Sequence, residues 1–432
     1  MKRRVIIVLM LMLAITLSFS QSNGASSSTL VLRVWHGYSQ KARIDAMNEI
    51  GRRFTEKTGI KVEYEVVTWP NQAEKWRAAF AAKAMPDVMI CLPDQATSMY
   101  FAHATVPAND AIKLIGGSDK FLEGALKEQY YKGNYIGVPH YAHSRLLIYR
   151  KDALAKKSQT PPLTMQDYLN VSKAINDPPH YAFQQLFNKS DYGSAFMLDI
   201  FMRTVGARYF DKDFNIVFNS PETIKAVKFL IDMYKVGSMP NAMDYMINDQ
   251  FTLLNTGATL MTIDSAFTIN NAVLNAPQVA ANLDVAEPPS WYITTFPIVI
   301  GNTPNIATAN KFVAFLFEED NYVYFLKSIL PGMNPTLKSI IAPTSSYWKD
   351  ERLKDPLVKK CVELQNKGIG RGWSIGFEYG VNPFASVTTS GYVEEMFHQI
   401  ITNGVSVEKA VADCARKMQA AVDEQKEVLG WK

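Results

Sequence analysis

The stretch "VLRVWHGYSQ", Val31 to Gln40, opens as an apolar strand and changes character within two residues. Leu30 to Trp35 is nearly continuous in apolar residues, and so is "DVMICL", Asp87 to Leu92. Between them "IKVEYEVV" alternates Ile60, Val62, Tyr64 and Val66 with Lys61, Glu63 and Glu65. Continuous apolar runs belong inside a parallel sheet and an alternating run at its edge. The second strand therefore lies outside the first, and the first beside the third, in the order 2-1-3. Ile44, Met47 and Phe54 keep helical spacing up to Thr58-Gly59, where glycine can take the left-handed cap. This is a βαβ unit with a right-handed crossover. In a doubly wound sheet, the connections diverge from two neighbouring strands and open a crevice at their carboxyl ends. Those ends carry Trp35, His36, Gly37 and Tyr38 on one side, and Pro93, Asp94 and Gln95 on the other. Side chains alternate along a strand. If Trp35 enters the core, the His36-Gly37-Tyr38 turn is the better ligand contact.

At 432 residues the chain is too long for one core, so two lobes are expected. Seven Trp, twenty Tyr and twenty-three Phe supply enough aromatic surface to line a cleft between them. "MKRR" is a basic leader and Val5 to Leu17 an apolar run too short to span a bilayer as a stable helix. Cleavage is expected before Gln21 or after Ala25, so residues 1–25 read as a signal peptide, with no nearby cysteine to carry a lipid. Without Lys2, Arg3 and Arg4, 42 basic residues stand against 41 acidic ones. That balance asks for neither nucleic acid nor an acidic membrane surface. Cys91, Cys361 and Cys414 lack metal spacing. Cys91 reads as a small core residue, while Cys361 and Cys414 are open to pairing in an oxidising compartment.

Further on, "GNYIGVPHYAHSRLLIYRKD" reads as a hairpin-type strand pair crossing into new territory. Thr164 caps a helix with Asp167 in capping-box position. Ser220 caps another, with Pro221 first, Ile224, Val227, Ile231 and Tyr234 on one face and Gly237 as stop. Val411, Cys414, Met418 and Val422 keep helical spacing near the end.

Taken in order, "LRVWHG", "FTEKTGIKVEYEVVTW", "AMPDVMI", "YIGVPHYAHSRLLIYRKDAL", "PPLTMQDYL", "FNSPETIKAVKFLIDMYKVG" and "ATLMTIDSAF" resemble the extracellular solute-binding proteins of ABC importers. The branch they resemble binds sugars and oligosaccharides, like the maltodextrin-binding proteins. "NIATANKFVAFLF" and "EMFHQIITNGVSVEKAVADCARKMQ" resemble that family's later helices, while Leu283 to Ile300 departs most. The resemblance implies an α/β fold of two lobes interlaced by hinge crossings. The expected division is 26–147 in lobe 1, 148–266 in lobe 2, 267–328 back in lobe 1, and 329–432 in lobe 2. It also implies a periplasmic, monomeric receptor that needs no cofactor or metal, catalyses nothing, and passes carbohydrate to membrane permease subunits.

Sugars present hydroxyls that donate and accept, plus apolar C–H faces, so their sites need flat aromatics beside carboxylates and amides. The resemblance carries a polar contact onto Asp94, and the crevice puts it in the same place; the plain alternative is a turn or cap aspartate. Cys91 stands where some relatives stack a tryptophan. His143 stands where some oligosaccharide binders place a glutamate, though a lone histidine is more often structural. Asp264, Ser265 and Phe267 fall on a lobe crossing, and Tyr392 in a late helix that supplies stacking. Trp69, Tyr141, Tyr192, Trp291 and Trp373 complete the candidates, with ordinary core packing as the alternative for each. Fewer bulky aromatics than in long-dextrin binders suggest a smaller or differently shaped ligand.

Two motifs are set aside. "GWSIG", Gly372 to Gly376, matches a hydrolase elbow but lacks the strand before and the helix after, so it is expected instead as a glycine-rich loop that lets backbone amides and Trp373 approach the ligand. Asp211, Asp213, Asn215 and Glu222 have calcium-loop spacing, but Ile216 occupies the position that demands glycine, so a polar hairpin turn is expected. The competing functions are a phosphorylated-polyol receptor, a secreted glycoside hydrolase and a surface adhesin.

Overall fold

The computed structural model describes residues 30–431, so the signal peptide expected over 1–25 lies outside the described residues. Two hydrophobic cores divide the chain. One gathers residues of the first 140 positions with Phe296 to Val362, the other gathers Leu147 to Ile263 with Ile375 to Val422. The first core lies under a seven-stranded sheet, the second under a four-stranded one.

Strand β1 (Val31–His36) leads into helix α1 (Lys41–Thr58), then β2 (Lys61–Val66), α2 (Trp69–Ala81), β3 (Val88–Ile90) and α3 (Pro93–Phe101). β1 pairs in parallel with β2, from Val31 opposite Lys61 to His36 opposite Val66, and in parallel with β3. The 2-1-3 order follows, and Gly59 closes α1 in the left-handed region with φ 74°. The alternation along β1 separates its last two residues. Trp35 packs with Trp76 and Met99 beneath α2 and α3, while Leu32 and Val34 face the larger core. His36 stacks on Tyr38 at 4.8 Å and meets Tyr64 at 5.8 Å.

The strand pair crosses into new territory as expected, by a change of sheet and not by a hairpin. β4 (Val138–Ser144) pairs with β9 (Ile293–Gly301) and β10 (Asn334–Pro335) in the first sheet. β5 (Leu146–Arg150) pairs with β7 (Thr259–Asp264) and β8 (Leu283–Ala286) in the second, whose other strand is β6 (Tyr181–Phe183). Only Arg145 separates β4 from β5, too little chain to turn back, so the strand runs on into the other body. Phe267 packs against the first core, β8 pairs with β5 in the second sheet, and the first sheet resumes at Ile293. Residues 329–362 likewise stay with the first body instead of the second. Leu337, Tyr347 and Val362 sit in its core, and the Thr336 hydroxyl donates to Pro139 O at 2.6 Å. A two-residue strand carries no pattern that a sequence can display.

A third crossing is helix α7 (Pro356–Ile369), which packs Cys361 against Leu146 and Val285 and Ile369 against Ala142 and Ile293. Cys414 belongs to the other core, so the pairing considered for Cys361 and Cys414 does not form; all three cysteines are free and buried. Helices α4 (Met165–Ile175), α5 (Gly193–Thr204) and α6 (Pro221–Gly237) cover the second sheet with α8 (Tyr392–Ile401) and α9 (Val407–Val428). The capping box at Thr164 and the Ser220 cap both form. Asp211 accepts the amides of Asp213 and Asn215 at 2.9 Å each in a polar hairpin turn. Among the described residues no helix is long and apolar enough to cross a membrane.

The turn after β1 is set by one glycine. A Cβ at Gly37 would lie 2.3 Å from the Trp69 ring, which itself packs on Phe296 at 5.4 Å. Gly37→Ala should lower the melting temperature, with a cost of about 1–3 kcal/mol for overpacking, where glycine-to-alanine changes in open space are neutral or stabilising. An unchanged melting curve would mean that the indole swings aside freely.

Candidate functional site

Of the crevice expected at the carboxyl ends of β1 and β3, only the β3 end borders a cavity, and the opposite wall comes from the second body. A cavity of about 220 Å³ is bordered by Leu92, Pro93 and Asp94 where α3 begins, by Tyr192 before α5, and by Tyr292 and Thr294 on the returning crossing. Ser374, Ile375 and Phe377, past α7, close its side. A larger hollow of about 790 Å³ lies between α4 and α6 around Met165, Leu169 and Phe229. That hollow touches the first body nowhere, so lobe motion cannot enclose a ligand in it.

Pro93 starts α3, and Asp94 occupies its first turn, where backbone amides and the helix dipole favour an anion. Burial nevertheless holds the Asp94 carboxyl above its ordinary pKa, against the amides of Gln95 and Asp94 that pull it down. Tyr192 is 38% exposed. Burial of its hydroxyl raises its pKa, and the charges of Arg145, Asp94 and Asp264 all reach it. Behind it, Arg145 forms a buried ion pair with Asp264, whose other oxygen takes the Thr268 hydroxyl. The Arg145 guanidinium lies 4.8 Å from the Phe196 ring, and its backbone N–H donates to Tyr292 O at 3.0 Å.

Of the candidates, only Asp94 and Tyr192 border the cavity. Trp35 is core, with the Lys75 ammonium 4.9 Å over its ring. His36 is buried and neutral, its pKa lowered to about 4 chiefly by burial. Tyr38 is fully buried, and Gly37 serves the packing of Trp69. Tyr141 stacks on Phe296 at 4.4 Å and takes a hydrogen bond from Arg43 at 3.2 Å. His143 meets Phe267 at 5.7 Å and Phe296 at 5.3 Å, and burial holds it neutral, well below the usual histidine range. Gln95 and Ser265 are buried, and Asp264 is committed to Arg145. Trp291 packs over Gly368, Trp373 lies under the Arg203 guanidinium at 4.4 Å, and Tyr392 packs against the second core. The reading missed Tyr292, Thr294, Ser374, Ile375, Phe377, Ala385 and Thr389. Two of these misses share one cause. Tyr292 and Ser374 follow the tryptophans that were chosen, and in extended chain the neighbour faces the opposite way. Trp373 and Tyr292 form a parallel bridge, so both segments are extended there.

"GWSIG" has no nucleophile geometry: the Ser374 hydroxyl donates to Ile293 O at 3.0 Å. Among the described residues, no group of three His, Cys, Asp or Glu side chains is placed to hold a metal.

Residues 49–355 match the family of bacterial extracellular solute-binding proteins. A periplasmic-binding protein of an ABC transporter from Escherichia coli K12, YcjN, is 23% identical over 97% of this chain and 99% of its own length. Among solved structures, an ABC transporter solute-binding protein from Thermotoga lettingae, bound with alpha-D-tagatose, superposes with a TM-score of 0.75 at 21% identity. The match covers 91% of this chain and 99% of that one. The sugar-binding protein MalE from Xanthomonas citri superposes with a TM-score of 0.77 at 18% identity, over 93% of this chain and 100% of its own. These structures share the two-lobe fold.

Beside the cavity, one buried acid ties the crossings together. Glu128 accepts the Thr295 hydroxyl of β9 at 2.6 Å and the Ser374 N–H beyond α7. Burial pushes its pKa up to about 7. An unfolded glutamate titrates near about 4.3. Between those values the folded chain keeps a proton that the unfolded chain has lost, so this group's contribution to stability falls as pH rises. Glu128→Gln cannot ionise. Its melting temperature relative to the parent should rise from pH 5 to pH 8 and then level off; a difference flat across that range would refute the assignment.

Proposed function

We propose that this chain, which belongs to the bacterial extracellular solute-binding proteins, captures a carbohydrate between its two lobes and delivers it to the permease of an ABC importer. One observation carries the reading. Asp94 of the first lobe shares a 220 Å³ cavity with Tyr192 and the crossing residues Tyr292 and Thr294, and among the described residues no side chain donates a hydrogen bond to its carboxyl. Carboxylate and hydroxyls converging beside an aromatic face are what a sugar's hydroxyls and C–H faces require. The named ligand of the Thermotoga relative and the sugar-binding name of the Xanthomonas one support the same class.

The mechanism is a population shift. Ligand touches both walls only when the lobes are closed, so its affinity difference between the two states favours closure. Asp94 accepts hydrogen bonds from ligand hydroxyls, Tyr192 supplies a stacking face, and Tyr292 and Thr294 offer hydroxyls from the crossing. The Arg145–Asp264 pair positions Tyr192 and Tyr292 without touching ligand. The chain acts in the periplasm, as a monomer, and binds without catalysing. A glycosidase needs two carboxyls flanking the bond, about 5–10 Å apart, and Asp94 is the one acid among the described residues bordering the cavity. A phosphate would need a free arginine in the cavity; Arg145 and Arg203 already hold Asp264 and Asp199, and the third available one, Arg371, is exposed and does not border it.

Titration with a broad saccharide panel, followed by tryptophan fluorescence and melting temperature, should show saturable responses; silence across the panel would sink the reading. For a sugar that binds, Asp94→Asn should weaken affinity at least tenfold, since hydrogen bonds to a charged group are each worth about 1.5–3 kcal/mol. Its ligand-free melting temperature should hold or rise, because a buried carboxyl has been neutralised.

A further inference from the structure

We infer that the site is cut for one sugar ring, or an open-chain polyol of that size, and excludes oligosaccharides, with Tyr192 as its single stacking platform. This rests on the carbohydrate reading above. Three observations carry it.

The first is volume. The cavity of about 220 Å³ lies below the ~300–1,000 Å³ that sites for drug-sized ligands take.

The second is the aromatic inventory. A chain of sugars needs several flat faces open along a trough. Trp35 is core, Trp69 is spent on Gly37 and Phe296, Trp291 on Gly368, and Trp373 on Arg203. Cys91 is fully buried, so no face is offered there. Tyr292 and Phe377 border the cavity but are 3% and 2% exposed, which leaves Tyr192, 38% exposed, with a face to present.

The third is closure of the rim. The segment bearing Phe377 is fastened to the first lobe, where the Lys127 ammonium donates to Glu378 O at 3.0 Å. A second sugar unit leaving past Phe377 would have to displace this fastened segment.

Isothermal titration of the exported chain with glucose, maltose and maltotriose, with xylose, xylobiose and xylotriose, and with mannitol and ribitol tests the inference. In any series that binds, the monomer or the polyol should bind tightest and the trimer at least tenfold more weakly. Tyr192→Ala should weaken monomer binding at least tenfold while the ligand-free melting temperature holds, and Tyr192→Phe should retain most of the affinity. Affinity that rises from monomer to trimer overturns the size limit and leaves the carbohydrate reading standing. Affinity indifferent to Tyr192→Ala overturns the platform. No binding by any of the eight probes overturns the inference together with its premise.

Discussion

The crossing at Arg145 is the constraint on which the rest of the structure depends. One residue separates a strand of one sheet from the first strand of the other. Its N–H is bonded to Tyr292 on the returning crossing, and its guanidinium to Asp264 at the end of β7. Both crossings are therefore held by one side chain and its own backbone. A buried ion pair of this kind adds little net stability over an apolar substitute, but removing one partner leaves an uncompensated charge. Its value lies in geometry: the two lobes meet along a defined line, and Tyr192 and Tyr292 stand beside it.

Burial shapes the chemistry around that line. His36, His140 and His143 all lie within the first lobe, and desolvation keeps each of them neutral. The acids behave in the complementary way, with Asp94, Glu128 and Glu394 all raised by the same cause. The cavity itself is bordered, among the described residues, by one such reluctant carboxyl, Asp94, and by no cationic side chain, which suits a polyhydroxy ligand better than an ion.

Much of the first lobe was legible in the chain because its strands carry strong patterns. Two continuous runs flanking an alternating one dictate the 2-1-3 order, and that order locates the crevice and Asp94. Helix limits at Gly59, Thr164 and Ser220 were equally plain, since caps are local chemistry. The later boundaries were not. The two-residue strand at Asn334 and the irregular sector at Leu283 have no period to read, and their lobe is decided by partners more than a hundred residues away.

The site divides along the same line. Sequence alone determined that a crevice exists, that Asp94 borders it, and that aromatics are plentiful enough to line it, because these follow from strand order and composition. It could not determine which aromatic faces the ligand. Large rings are wanted by cores and by sugar sites alike, so residue type cannot separate the two uses. Tertiary packing assigned Trp69 to Gly37, Trp373 to Arg203 and Trp35 to the helices behind the sheet. It left the cavity to Tyr192 at the start of α5 and to Tyr292 and Thr294, whose orientation follows from the extended chain at the crossing and from nothing in their own identity.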